Sequence, residues 1–257
     1  MAQENRMAAM VTRPCKNNCG RMLELPAWLT APVECDDCRR QRESDQLAKV
    51  REWRSKNADK ILREIGFPVD PNGYNPRGYN YAFNQFEDEA DQKRLGPVLK
   101  GLLEHRKNII LYSVPGEGAN ETGRGVGKTR MIGMLVHWYY TERAHLDPDD
   151  CLFIYAEEWA RGVDNLPFAK KEAKIRFAAR KPLLVIDDVG YETGPVVNQL
   201  MLSRIHEGRL TLMTYNGTPK DFQARYGART YSRLFGAAWI QLKGRDYRIT
   251  GGNGNAE

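Results

Sequence analysis

The chain has 257 residues, 41% hydrophobic and 28% charged, and its 39 Lys/Arg against 33 Asp/Glu give a net charge of +6. This composition is that of a soluble globular protein, and the length suits one core domain with a small accessory unit. No run approaches the ~18 apolar residues of a membrane span, and the opening MAQENRMAAM lacks an apolar core of signal-peptide length. The expectation is a cytoplasmic protein with no membrane association and with reduced cysteines.

Four of the five cysteines fall in one window: Cys15-x₃-Cys19, followed by Gly20, and then Cys35-x₂-Cys38. Thiolates so spaced on two turns can converge on one tetrahedral Zn²⁺, and Gly20 suits the tight turn of such a knuckle. A window this short buries little core, so the metal would supply its folding energy. Two disulfides or four unligated thiols are the alternatives. Leu23, Leu25, Trp28 and Leu29 either pack over the metal or form a docking face for protein or nucleic acid. Cys151 opens an apolar run and reads as a small buried hydrophobe.

Residues 39–65 are charged, rich in helix formers and carry a partial apolar stripe, which predicts a helix ending at Gly66-Phe67-Pro68. Residues 69–86 repeat Pro, Gly and Asn and predict a loop, whose Tyr and Phe side chains line a base pocket or pack on the core. The domain reading is a zinc-binding unit over 1–40, a helical linker and loop over 41–83, and an enzyme core over 84–257.

The stretch 108–131, NIILYSVPGEGANETGRGVGKTRM, carries the central motif. An apolar strand over 109–112 leads into glycines and then Gly127-Lys128-Thr129, with an apolar helix over 131–140. Strand, glycine loop, Gly-Lys-Thr and helix is the layout of a phosphate-binding loop. Glycines let backbone N–H groups surround phosphate oxygens, and the helix N-terminus adds its positive dipole end. The predicted ATP site comprises Gly123, Gly125, Val126, Gly127, Lys128, Thr129 and Arg130, with Lys128 on the β- and γ-phosphates and Thr129 on Mg²⁺. The copy is irregular: Thr122 stands where the strict pattern has glycine, and residues 115–121 read as an insertion.

Downstream, strands over 151–156, 183–186 and 210–215 alternate with helices over 157–181, broken near Pro167, and 195–207. Alternation of this kind predicts an α/β fold, a parallel sheet with helices on both faces and ligands at the carboxyl ends of its strands. Asp187, Asp188 and Asn216 fall on that edge. Asp187 would hold Mg²⁺ with Thr129, and Asp188 would orient and deprotonate the attacking water. Asn216 would contact the γ-phosphate or the water, or serve as a turn residue before Gly217.

The runs LLVIDDVGYE, GRLTLMTYN, ARTYSRL and GRDYR resemble the AAA+ ATPases of the DnaC/DnaI-type helicase loaders and IstB, over roughly two-thirds of the chain. The resemblance implies a P-loop core that hydrolyses ATP to ADP and phosphate, without a C-terminal lid domain. It makes Asp188 the catalytic base, Asn216 the sensor, and Arg233, with Arg229 as runner-up, a finger reaching into a neighbouring subunit's site. It thereby implies an ATP-dependent oligomer that delivers a replicative DNA helicase to single-stranded DNA in a bacterial cell, the protein being of host or phage origin. The N-terminal unit would grip the helicase. Asp188 stands where most AAA+ enzymes have Glu. The other readings are an IstB-like transposition ATPase on duplex DNA and a zinc-dependent DNA-binding regulator with a weakly hydrolysing site.

Two basic segments bear on DNA. Residues 204–248 hold nine Lys/Arg against three Asp/Glu, a surplus equal to the whole net charge, which points to nucleic acid or bound phosphates or is simply a solvated basic surface. Residues 168–181, FAKKEAKIRFAARK, carry six cations and one acid. As a helix they turn Phe168, Ile175 and Ala179 to the core and cations outward, either toward single-stranded DNA in a central channel, as the resemblance implies, or toward solvent.

Overall fold

The computed structural model of the chain describes residues 9–67, 90–115, 126–142 and 148–243. The loop over 69–86, most of the inserted segment, Gly123, Gly125 and the GRDYR run lie outside them. The chain divides into two compact units, 1–55 and 56–257. Among the described residues no helix is long and apolar enough to cross a membrane.

In the first unit, β1 (Met10–Pro14) pairs antiparallel with β2 (Met22–Pro26), and α1 (Asp36–Glu64) follows. The hairpin is too short and too polar in its connection to be read from sequence. It alternates exposed and half-buried residues, the period of a strand pair covered on one face. α1 crosses the unit boundary, and its last turns deliver Ala58, Ile61 and Leu62 to the core of the second unit.

The second unit begins with that helix end and α2 (Ala90–Glu104). Then come β3 (Ile109–Ser113), α3 (Lys128–Glu142), β4 (Cys151–Tyr155), α4 (Ala156–Asp164), α5 (Phe168–Arg180), β5 (Leu183–Val189), α6 (Val196–His206), β6 (Leu210–Asn216), α7 (Pro219–Arg233) and β7 (Ala238–Gln241). The strands form one sheet in the order β4-β5-β6-β3-β7, parallel throughout. β6 therefore lies between the strand that leads to the glycine loop and the strand that carries the acids.

A parallel strand buried on both faces sends alternate side chains to opposite layers. Ile109, Leu111, Leu183, Val185, Leu210 and Leu212 meet one layer, which α2, α3 and the end of α1 cover with Leu99, Met131, Leu135 and Ile61. Ile110, Leu184, Ile186, Met213 and Tyr215 meet the other, which α4 to α7 cover with Ala160, Ala178, Leu200 and Phe222. α2, α7 and the edge strand β7 are the elements that sequence reading passed over. β7 is only half-buried, and α7 is broken by Gly227 at φ 82°, ψ 158°, so neither shows a clean period. The edge strand β4 is guarded by the chain after α1: the Phe153 N–H donates to the Ile65 carbonyl at 2.7 Å.

One buried cation holds the second layer together. Arg204 in α6 is 1% exposed. Its Nη1 donates to the carbonyls of Ala178, Ala179 and Lys181 at the end of α5, its Nε donates to Thr211 Oγ1 at 2.8 Å, and its Nη2 donates to the Leu210 carbonyl. The guanidinium thus satisfies carbonyls that a helix end leaves without partners. Burial pulls its pKa down to about 9, so it stays charged at neutral pH. This corrects the reading of 204–248 as a surface basic run, because its first cation is internal. Arg204→Met should lower the unfolding free energy by roughly 3 kcal/mol in urea titrations, since several buried carbonyls lose their donor, whereas Lys220→Ala on the surface should change it by less than about 0.5 kcal/mol.

Candidate functional site

In a parallel sheet every strand presents its carboxyl end to the same edge, so the ends of β3, β5 and β6 meet there. Register sets the levels: Ser113 stands opposite Asn216, and Tyr155 opposite Asp187. Between β5 and β6 the register shifts. Ile186 pairs with Met213 and Val189 with Tyr215, so Asp187 and Asp188 together oppose Thr214 alone. That is a bulge, which re-aims side chains that a regular strand would send to opposite faces. Asp188 adopts φ 54° there, the left-handed region that Asp tolerates better than most residues.

Thr214 holds the bulge. Its hydroxyl donates to Asp187 Oδ1 at 2.6 Å and accepts the Asp188 N–H at 2.8 Å. The Thr129 hydroxyl, in the first turn of α3, lies 3.1 and 2.9 Å from the two Asp187 oxygens. Lys128, 6% exposed, donates to Ser113 Oγ at 2.6 Å and to Asn216 Oδ1 at 2.5 Å. The Asn216 amide then donates through Nδ2 to Asp188 Oδ1 at 3.2 Å. One chain of hydrogen bonds runs Lys128–Asn216–Asp188, the other Thr129–Asp187–Thr214, and they join at the paired acids.

Asp187 is 1% exposed. Burial, and then the neighbouring charge of Asp188, push its pKa up to about 6. A buried carboxylate beside a hydroxyl oxygen is a hard-oxygen pair that fits Mg²⁺, and a cation there would offset the cost of the buried charge. Gly127 takes φ 87°, which its lack of Cβ permits. Val126 is fully buried, and Arg130 is half-buried. Arg233 is exposed at the end of α7, as is Arg229, and neither belongs to this cluster. Ser113 and Thr214 are the site residues that sequence reading missed. Thr214 had a signal, since it sits two residues before Asn216 and so on the same face of its strand.

On α5, Ile175, Ala178 and Ala179 are buried, but Phe168 is 80% exposed, which corrects its assignment to the core. It lies in the first helical turn, before the buried stripe begins. Phe177 is also exposed, with Lys181 Nζ 4.5 Å from its ring centroid. Lys170, Lys174, Arg176 and Arg180 are exposed. Lys171 is paired with Asp164, and Lys181 donates to the Asp149 carbonyl.

The first unit gathers its four thiols. The sulfurs of Cys15, Cys19, Cys35 and Cys38 lie within 4.8 Å of one another. Tetrahedral Zn–S bonds of about 2.3 Å set sulfurs about 3.8 Å apart, so the cluster fits one zinc ion. The first pair sits on the turn between β1 and β2, with Asn18 at φ 51° and Gly20 at φ 84°. The second pair opens α1, where a spacing of three places both sulfurs on one face. The Cys35 N–H donates to Cys15 Sγ at 3.3 Å and draws that thiol down to about 6, while its hydrogen bond with Cys19 pushes Cys38 up to about 12. Four thiols this close cannot all ionise without a cation among them. Trp28 is 71% exposed. Freshly purified protein should carry one Zn²⁺ per chain by metal analysis, lost in the Cys35→Ser, Cys38→Ser variant; near-zero zinc in the parent would exclude the site.

No protein-family model matches the sequence, and no curated protein matches it. Among solved structures, DnaI is 17% identical, with 65% of this chain and 89% of DnaI covered at a TM-score of 0.50. DnaA from Aquifex aeolicus with bound AMPPCP is 18% identical, with 64% of this chain and 50% of that one covered at a TM-score of 0.49. Domain III of the Thermotoga maritima replication initiation protein DnaA is 18% identical, with 68% and 69% covered at a TM-score of 0.48. At this level of identity the likeness to DnaI speaks for the fold alone. The chain therefore shares with DnaI a fold built on a five-stranded parallel sheet between helical layers.

Proposed function

We propose that the chain is an oligomeric ATPase that loads a replicative DNA helicase onto single-stranded DNA during the initiation of replication. The observation that carries the ATPase reading is the meeting of Lys128, Thr129, Asp187, Asp188 and Asn216 at one sheet edge. The helicase-loading reading is supported by the motif resemblance and by the fold held in common with DnaI.

In this reading Lys128 exchanges its hydrogen bond to Asn216 for phosphate oxygens, and Thr129 and Asp187 would hold Mg²⁺. The ion, when bound, screens charge on the transferred phosphoryl group. Asp188, aimed by the bulge, orients the attacking water and accepts its proton. Asn216 keeps Asp188 in place through its amide. Arg233 completes a neighbouring subunit's site, which makes hydrolysis depend on assembly. The zinc-binding unit is the proposed grip on the helicase.

α5 exposes Lys170, Lys174, Arg176 and Arg180 together with Phe168 and Phe177. Cations follow a phosphate backbone while aromatic faces accept bases without reading sequence. This helix is the proposed DNA-binding element.

Lys128→Ala should abolish ATP binding, and Asp188→Asn should keep it while lowering hydrolysis by about 10²–10⁴-fold. Arg233→Ala should keep ATP affinity in the monomer and lose about 10³-fold in hydrolysis. Mixing Arg233→Ala chains with Asp188→Asn chains should restore activity at the mixed interfaces, and absence of rescue at every ratio would mean that the site is complete within one subunit.

Lys170→Glu with Lys174→Glu should weaken single-stranded DNA binding, with ATP affinity unchanged. Removing each cation from the phosphate backbone should flatten the log–log salt dependence by about one unit. Parental binding across a salt titration would rule α5 out as the DNA-binding element.

A further inference from the structure

The loop that leaves β5 is fastened to α7 by a buried carboxylate that the nucleotide reading does not use. Glu192 is 2% exposed. One of its carboxylate oxygens accepts the Gly190 N–H at 2.8 Å, and the other accepts the hydroxyl of Tyr226. Its main-chain carbonyl accepts the guanidinium of Arg225. Burial, and then the charge of Glu192, push the Tyr226 hydroxyl above its ordinary range, so it remains a donor. Gly190 has no room for a side chain: at φ +110° a Cβ would stand 2.8 Å from the Tyr215 ring. The backbone emerging from Asp188 is therefore held on one side by Thr214 and, two residues on, by Glu192.

Tyr226 occupies a special place on α7. It is the last residue before Gly227 leaves helical geometry. Beyond that break, Thr230 donates to Asn198 Oδ1 at 2.8 Å, and Arg229 and Arg233 are exposed. One carboxylate thus touches both the loop issuing from the paired acids and the point where the arginine-bearing helix bends.

We propose that Glu192 is a positioning residue that sets Asp188 and residues 228–233 as one mechanical unit, so that a change at the nucleotide-facing edge alters how Arg229 and Arg233 are presented to a neighbouring copy of this chain. The functional half of this inference rests on the ATPase reading above; the mechanical half does not. A carboxylate suits the task because it accepts from an N–H and an O–H at once, joining two elements that share no backbone hydrogen bond.

Three variants of the full chain test it. Glu192→Ala removes both acceptors. Glu192→Gln keeps both links, its oxygen on the Gly190 N–H and its amide donating to the Tyr226 oxygen. Tyr226→Phe cuts the α7 side alone. Amide hydrogen exchange should quicken by about tenfold at 190–192 and at 228–233 together in Glu192→Ala, at 228–233 in Tyr226→Phe, and at neither in Glu192→Gln. In steady-state ATPase assays Glu192→Ala should lower kcat about tenfold with KM within about twofold, and Glu192→Gln should recover most of the loss, a split that general destabilisation does not produce. Unchanged exchange at 228–233 in Glu192→Ala, or in Tyr226→Phe should Glu192→Ala fail to fold, overturns the proposal. A parent chain that hydrolyses no ATP would instead sink the ATPase reading, and the exchange measurements would still decide the coupling.

Discussion

The site depends on a mismatch of one residue between β5 and β6. Without the bulge, Asp187 and Asp188 would point to opposite layers of the sheet, one acid toward the strand-end cleft and the other into apolar core. With two residues set against Thr214, both acids stay at the edge. The hydroxyl that spans them serves each in the form it needs, donating to the Asp187 carboxylate and accepting the Asp188 N–H. The φ of 54° at Asp188 is the local cost of that placement, and the buried strands on either side hold it there.

Electrostatics divides the two acids. Asp187 is sealed from solvent beside the charge of Asp188, which raises its proton affinity, while two hydroxyls donate to it and oppose that rise, a setting that suits it to a cation. Asp188 is only half-buried and is bonded through Asn216 to the ammonium of Lys128. The same strand end therefore offers one buried carboxylate and one partly open to solvent. The cluster is already connected by its own hydrogen bonds, so nucleotide binding would exchange the partners of Lys128 rather than assemble the site from separate parts.

The four-cysteine unit follows a different logic. Its hairpin leaves Met10 and Met22 exposed, and it has little core of its own. What gathers it is a set of four thiols that cannot all ionise unless they share a cation. The second unit needs no such staple, because its sheet is covered on both sides.

Much of this was legible in the chain itself. The unbroken apolar runs of β3, β5 and β6, the glycine loop leading to Lys128 and Thr129, the acids closing β5 and the cysteine spacing all announce themselves, because burial on two faces, phosphate binding and metal binding each demand particular residues at particular intervals. Pro167 marks the break between α4 and α5 for the same reason: it cannot continue a helix. Other features carry no such interval. Ser113 and Thr214 became site residues only when register placed their strands side by side. Arg204 reads as one more surface cation until the end of α5 and the start of β6 close around it. Phe168 has the helical spacing of a core residue, yet it falls outside the buried stripe. Glu192 looks like any loop acid until α7 brings Tyr226 to it. Sequence by itself determined which residues could do the chemistry, because composition and local spacing encode residue type and element. Tertiary structure alone decided which of them meet, because strand order, register and a one-residue bulge arise from long-range pairing that no local interval records.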